Sequence, residues 1–486
     1  MNIAINRNSE TPIYLQIAGA IKNMIEKNEL VKGYKLPGER QLAEELGVHR
    51  NTVVKAYGEL VSEGLLTASR KAPKGYFVQS AVNSWNFSHR FFPLEKMIRY
   101  HYNEREKLFQ EIFNDSVDKG YISFGGIIMD KRINPAEDME AIVKNMLQFD
   151  EDGSIRSFYH DDTERLKTNI CSILAAENMY INPKNIQIVA ETNQALYYLM
   201  TLYLSEGDSV IAEEPIVPDN ASIFRNEGLN LVTVPMESDG MDLIKLEMQI
   251  QKHKPKFIYT MPNYHNPTGT VMSLKKRVAL LEIAQRYGVP IIEEDSQRDF
   301  RYTENRMPSL YSLDQYKSVV YIDSFTLTFP FGVKVGYVVG PYDLVDMLGR
   351  LITMTETFVS NMGAYMLSEY IERGFFAEQT RRLAAYYRKK RDLLCNELDK
   401  IKDKGITYQK PQGGILLWCT LDKNINERKL FLAAKEKGLL IMPGSLFYPY
   451  GYQGCGHVRL CFSNVSDQEI IDGIRLLGEA IDQIKC

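Results

Sequence analysis

The sequence predicts a multidomain protein in which a winged helix-turn-helix of the α+β class precedes a larger α/β domain. Three observations carry this. Near the N-terminus, three segments of helical periodicity are followed by a short hairpin pattern; beyond Tyr121, apolar strands alternate with helical segments; and the 486 residues exceed one ordinary core. With 44% hydrophobic and 25% charged residues, the chain has the composition of a globular protein with a sizeable interior rather than of a disordered or fibrous one.

From Pro12 to Lys27, Tyr14, Ile17, Ile21, Met24 and Ile25 recur at the spacing of a helix packed on one side. Gly33 and Pro37 interrupt the pattern. A short helix from about Glu39 to Leu46 then turns Leu42, Ala43 and Leu46 inward and stops at Gly47. A third, from about Arg50 to Ser62, buries Val53, Ala56, Tyr57 and Leu60. Leu65–Ala68 and Gly75–Gln79 read as strands around a turn holding Lys71, Pro73 and Lys74, which completes a domain over residues 1–79. Residues 80–119, aromatic and charged without strand alternation, are expected to be a linker with some helix. In residues 120–486, Ile186–Ala190, Ser209–Ile211, Phe257–Thr260 and Val289–Ile292 alternate with helical segments, the pattern of a mostly parallel sheet wrapped by helices. The C-terminal part reads as a second lobe.

The net charge of -4 argues against a chain coated with nucleic acid, yet residues 1–80 carry 11 lysines and arginines against 8 acids. A polyanionic partner therefore belongs at the N-terminal end. No apolar run approaches the length needed to span a bilayer, and Met1–Thr11 lacks a basic-then-apolar leader, so a cytoplasmic protein without membrane contact is expected. The six cysteines show no paired spacing, which predicts reduced thiols and no metal site.

A helix-turn-helix reads DNA with the exposed N-terminal residues of its second helix, here His49, Arg50, Asn51, Thr52 and Lys55. Arg suits guanine, Asn suits adenine, and Thr and Lys reach phosphates. Arg40 at the start of the preceding helix is placed for a backbone or groove contact, and Lys71 and Lys74 beside Gly75 on the hairpin would neutralise phosphates. Pro12–Ile17, Leu36-Pro37-Gly38-Glu39-Arg40, Leu46-Gly47-Val48, Arg50-Asn51-Thr52-Val53, Glu63-Gly64-Leu65 and Gly75-Tyr76-Phe77-Val78 together resemble the winged helix of the GntR family. That resemblance implies operator DNA as partner, with contacts from Arg40, Arg50, Thr52 and the wing.

In the larger domain, Glu293-Glu294-Asp295 ends a strand and Asn266-Pro267-Thr268-Gly269 forms a turn able to present an amide. With Gln194-Ala195-Leu196, Glu213-Glu214-Pro215, Phe300-Arg301-Tyr302, Gly413-Gly414, Pro443-Gly444 and Val458-Arg459-Leu460, they resemble the fold-type I aminotransferases; the whole chain resembles the MocR-type branch of GntR regulators. The resemblance implies a homodimer and pyridoxal phosphate, with Asp295 facing the pyridine nitrogen, Asn266 the ring oxygen, and Arg459 the carboxylate of a small, amino-acid-like effector. The departures are equally specific. Leu327 falls on the cofactor lysine, so covalent attachment is not expected. Ser296 falls on a ring-contacting tyrosine, Val217 on an aromatic residue, Glu191-Thr192 on the small pair that cups the phosphate, and Lys334 on an arginine. The expected function is a DNA-binding transcriptional regulator with an aminotransferase-like effector domain without aminotransferase activity; the alternatives are an active pyridoxal-phosphate-dependent aminotransferase fused to a DNA-binding domain, and a regulator whose large domain only dimerises.

Overall fold

The computed structural model describes all residues except 2, 8, 10, 28, 70–73, 80–102, 118–119, 149–161, 305, 330–331, 357–359, 452–455 and 486, and it divides into two compact units, residues 1–99 and 100–486. In the first unit, α1 (Ile13–Glu26), α2 (Glu39–Leu46) and α3 (Arg50–Ser62) bury Ile17, Ile21, Leu42, Val53, Ala56, Tyr57 and Leu60 against one another. β1 (Leu66–Ser69) and β2 (Gly75–Val78) pair antiparallel, with Leu66 opposite Val78 and Ser69 opposite Gly75. The α2–α3 turn is set by Gly47, whose left-handed φ of 61° ends α2 while its N–H reaches back to Ala43 and Glu44. The His49 ring accepts from the Asn51 N–H and so caps α3.

The second unit opens with a helix, Glu104–Asp115, inside the segment expected to be linker. A capping box between Asn103 and Glu106 starts it, and Phe109 and Ile112 enter the hydrophobic core. The unit therefore begins upstream of residue 120; residues 80–102 of the expected linker lie outside the described residues. Next come β3 (Ile122–Ser123), β4 (Ile186–Val189), β5 (Ser209–Glu214), β6 (Asn230–Glu237), β7 (Gly240–Met241), β8 (Phe257–Thr260), β9 (Ile291–Glu294), β10 (Val319–Ser324) and β11 (Gly336–Val339). Eight of these form the main sheet, in the order β4-β11-β10-β9-β8-β5-β6-β7. Its centre, from β6 through β10, is parallel, and β11 runs antiparallel to both neighbours. Strands β8, β9 and β10 are buried along their whole length because both faces are covered: Ile292 and Ile322 pack with Leu196 and Leu199, Ile291 with Leu246 and Leu280.

The second lobe holds β12 (Ile406–Tyr408), β13 (Leu416–Leu421), β14 (Leu439–Leu440), β15 (Met442–Pro443) and β16 (His457–Cys461). β12-β13-β16-β15 form an antiparallel sheet, and β14 pairs with β3. Among the described residues no helix is long and apolar enough to cross a membrane, and no His, Cys, Asp and Glu cluster has metal-binding geometry.

Candidate functional site

The first unit presents the expected polar set on one end of α2 and α3. Arg40, His49, Arg50, Asn51 and Lys55 are exposed and Thr52 is half-buried. Arg50 is held: its Nε and Nη2 donate to Glu39 Oε2 at 3.1 and 2.8 Å, while the Tyr76 hydroxyl of the wing donates to Glu39 Oε1 at 3.1 Å. Glu39 thus ties the start of α2, the start of α3 and the wing together. Lys55 stands over the Tyr14 ring of α1, 4.0 Å from its centre, which turns it toward the helical core. Lys74 is exposed beside Gly75, whose φ of 146° excludes a side chain. Lys71 lies outside the described residues.

In the second unit the expected site residues lie at the carboxyl ends of the main strands, at the start of the helix Thr192–Tyr203 and on β16. Here the strand alternation corrects one expectation. Asp295 was expected to face the ring site, but side chains alternate along β9, and Asp295 points to the opposite face, accepting from Asn263 Nδ2 at 2.8 Å and the Tyr321 hydroxyl at 3.0 Å. Glu294 is the acid on the helix face. It accepts from the Tyr259 hydroxyl at 2.6 Å, Ser296 Oγ at 3.0 Å and Thr192 Oγ1 at 3.4 Å, and the Asn220 amide donates in turn to Tyr259. The resemblance missed Glu294, Tyr259 and Asn220. The signal that finds Glu294 is period-two counting from the apolar pair Ile291 and Ile292.

Burial pushes the Glu294 carboxyl up, and neighbouring Glu191 adds to this. Glu191 closes the N-terminus of the helix itself: Oε1 accepts from the Thr192 N–H at 3.1 Å, and Oε2 accepts from Thr326 Oγ1. A helix N-terminus is an anion site, and here the chain supplies the anion. Neither Glu191 nor Glu294 has a lysine or arginine within ion-pair distance among the described residues. Leu327 is half-buried against the second-lobe core and lines a cavity of about 250 Å³ with Ile128, Met129, Phe329 and Leu383. Lys334 is exposed just before β11, and Val217 is half-buried at the start of the helix Pro218–Asn226.

Arg459, mid-strand in β16, is 1% exposed. Nη2 donates to the Gly125 carbonyl at 2.6 Å, Nη1 to Asn266 Oδ1 at 3.3 Å, and the guanidinium lies 5.0 Å from the centre of the Phe447 ring. Nε has no hydrogen-bond partner, and no carboxylate lies within ion-pair distance among the described residues. Burial pushes its pKa down to about 10, which still leaves it charged at neutral pH. Arg459 and Asn266, expected at a ligand's carboxylate and at the ring oxygen respectively, thus come within hydrogen-bond reach of each other from the second lobe and the main-sheet side.

Residues 130–476 match the family described as aminotransferase class I and II, and residues 13–78 match the bacterial regulatory proteins of the gntR family. Over 98% of the chain and 97% of its own length, YisV of Bacillus subtilis, described as an uncharacterized HTH-type transcriptional regulator, is 26% identical. MocR of Rhizobium meliloti, described as a probable rhizopine catabolism regulatory protein, is 24% identical over 98% of the chain and 95% of its own length. The fold of the second unit is that of Pyrococcus horikoshii kynurenine aminotransferase, at a TM-score of 0.73 and 24% identity over 81% of this chain and 97% of that one. The chain belongs to the aminotransferase class I and II family and carries a gntR-family domain in front, the arrangement of the MocR-type transcription regulators.

Proposed function

We propose that the protein is a cytoplasmic, homodimeric regulator that binds a two-half-site operator through α2, α3 and the wing, and senses a small amino-acid-like carboxylate in a pocket that no longer performs transamination. The observation that carries this reading is Glu191 at the helix N-terminus together with Leu327 at the lysine position. Pyridoxal phosphate supplies its family with an electron sink, which requires an amine to form the imine and an anion-binding cradle for the phosphate. These residues do not fit that cofactor: Leu327 offers no amine, and Glu191 opposes a phosphate where it already satisfies the helix.

The charges that remain suit a free amino acid. Arg459 is a buried cation with an unused donor, matched to a carboxylate. Glu191 and Glu294 are acids without a cationic partner among the described residues, matched to an ammonium group. Closure of the second lobe over such a ligand would favour one lobe arrangement and thereby bias operator binding.

Calorimetric titration of the full chain with amino acids and keto acids tests the sensor reading. Binding is expected for at least one amino acid, weakened by about tenfold or more in Arg459→Ala. Binding that survives Arg459→Ala undiminished rules out this anchor. An absorbance band of an imine in protein mixed with pyridoxal phosphate, lost on treatment with an amine reagent, would overturn the reading of Leu327.

A further inference from the structure

The opposite face of the β9 end carries a second cleft, of about 360 Å³ and open to solvent, within the volume range of small-molecule sites. Asp295, Asn263 and Tyr321 line it on the sheet side, and Glu177, Arg301, Thr303 and Arg306 to Ser309 form its walls. Arg459, Asn266, Glu191 and Glu294 are not among its lining residues. Three guanidiniums, of Arg298, Arg301 and Arg306, line the cleft against two carboxylates, of Glu177 and Asp295.

Two of the three arginines are hydrogen-bonded and ion-paired, although Nε and Nη2 of the buried Arg298 have no hydrogen-bond partner among the described residues. Arg298 donates to the Tyr321 hydroxyl at 3.2 Å and pairs with Asp323 at 3.2 Å; Arg306 pairs with Glu177 at 3.0 Å and donates to the Ala176 carbonyl. Arg301 is different. Among the described residues its guanidinium has no hydrogen bond, and its approach to Glu177 is 3.9 Å, beyond hydrogen-bond range. Its backbone is nonetheless fixed, bridged to Gly413 and flanked by the buried Phe300 and Tyr302. The side chain is 25% exposed, so its donors are reachable from solvent. A planar cation with spare donors, held in a concave wall, suits an oxyanion. Asn263 and Tyr321 already donate to the two oxygens of Asp295, which turns its charge inward rather than onto Arg301.

We propose that this cleft is a second ligand site, which binds a small oxyanion, the carboxylate or phosphate group of a metabolite, through Arg301. Asp295 in the cleft and Glu294 in the effector pocket are adjacent residues on opposite faces of one strand end. An occupant of the cleft therefore bears on the pocket through a single peptide unit.

The test is calorimetric titration of the full-length Arg459→Gln chain, which removes the anchor of the first pocket, with succinate and separately with inorganic phosphate. Saturable binding of either anion is expected, and which one binds distinguishes a carboxylate from a phosphate source. Adding Arg301→Gln is expected to weaken it by about tenfold or more. Adding Thr303→Trp, at an exposed rim position, is expected to block it without touching the interior, which separates loss of the site from loss of folding. Absence of saturable heat with both anions overturns the proposal, as does binding that Arg301→Gln and Thr303→Trp leave unchanged. Because Arg459 is absent throughout, a negative result leaves the sensor reading of the first pocket standing.

Discussion

Arg50 is oriented by Glu39 and, through Glu39, by Tyr76 of the wing. A guanidinium restrained in this way loses less freedom on meeting a base edge than a free one. Arg50→Ala is expected to cost about 1–3 kcal/mol at its base pair, and Glu39→Gln about 1 kcal/mol or less, since the cation survives but is no longer held. Mobility-shift titrations of the three chains on one operator check this, and equal affinities would remove α3 from the reading role. In the second unit, Leu327→Lys alone is expected not to yield a coloured, substrate-responsive adduct with pyridoxal phosphate. Glu191 still fills the helix N-terminus and Glu294 remains hydrogen-bonded to Tyr259, Ser296 and Thr192. Such an adduct in that single variant would show the cradle to be intact.

Among the elements, the α2–α3 turn is the most sharply specified. Gly47 is left-handed, and a β-carbon there would meet only Arg7 Nη2 at 3.5 Å, so Gly47→Ala carries backbone strain with little crowding. The expected loss is about 1–2 kcal/mol in the unfolding of the N-terminal unit, followed by thermal melting of the full chain. A melt unchanged in that transition would mean that the turn relaxes without strain. The helix Glu104–Asp115 teaches the converse. Its charged composition masked it, with Phe109 and Ile112 supplying the buried stripe, yet the Asn103 to Glu106 capping box was present in the sequence. The wing strands lay within a residue of expectation.

At the scale of the molecule, buried acids set the response to pH. Burial raises Glu213 and Asp323 to about 7, well above the ordinary carboxyl range. For a raised acid the folded state binds more protons than the unfolded one between the two values, so stability falls as pH rises from about 4.5 through 7. His265 acts in the other direction: burial lowers it to about 3, so stability is lost as pH falls below about 6.5. Because the acids raised to about 7, Glu293 among them, lose their contribution between pH 6 and 8, while the lowered histidines have regained most of theirs by pH 6.5, the second unit is expected to melt higher at pH 6 than at pH 8. Glu213→Gln, which keeps the shape of the side chain without the charge, is expected to flatten that difference; a steeper dependence in the variant would contradict the assignment.

Some of this was determined by the sequence alone. Helical periodicity, Gly47, Gly75 and the spaced motifs from Pro12 to Val78 specify the N-terminal domain because local backbone preferences and a small core suffice to fix it. The strand and helix alternation specifies the class of the larger domain, whereas the reading of Leu327 as the replaced lysine rests on the motif resemblance. Period-two counting separates the faces of Glu294 and Asp295, but which face meets the helix Thr192–Tyr203 was decided only by tertiary structure. Glu294 and Asp295 are chemically alike and adjacent, and the alternation of β9 sends one toward Thr192 and the other toward Tyr321. The same holds for Arg459 and Arg301. One is fully buried without an acid partner among the described residues, the other stands in a cleft wall with its donors unused, and both facts depend on strands and loops far apart in the chain.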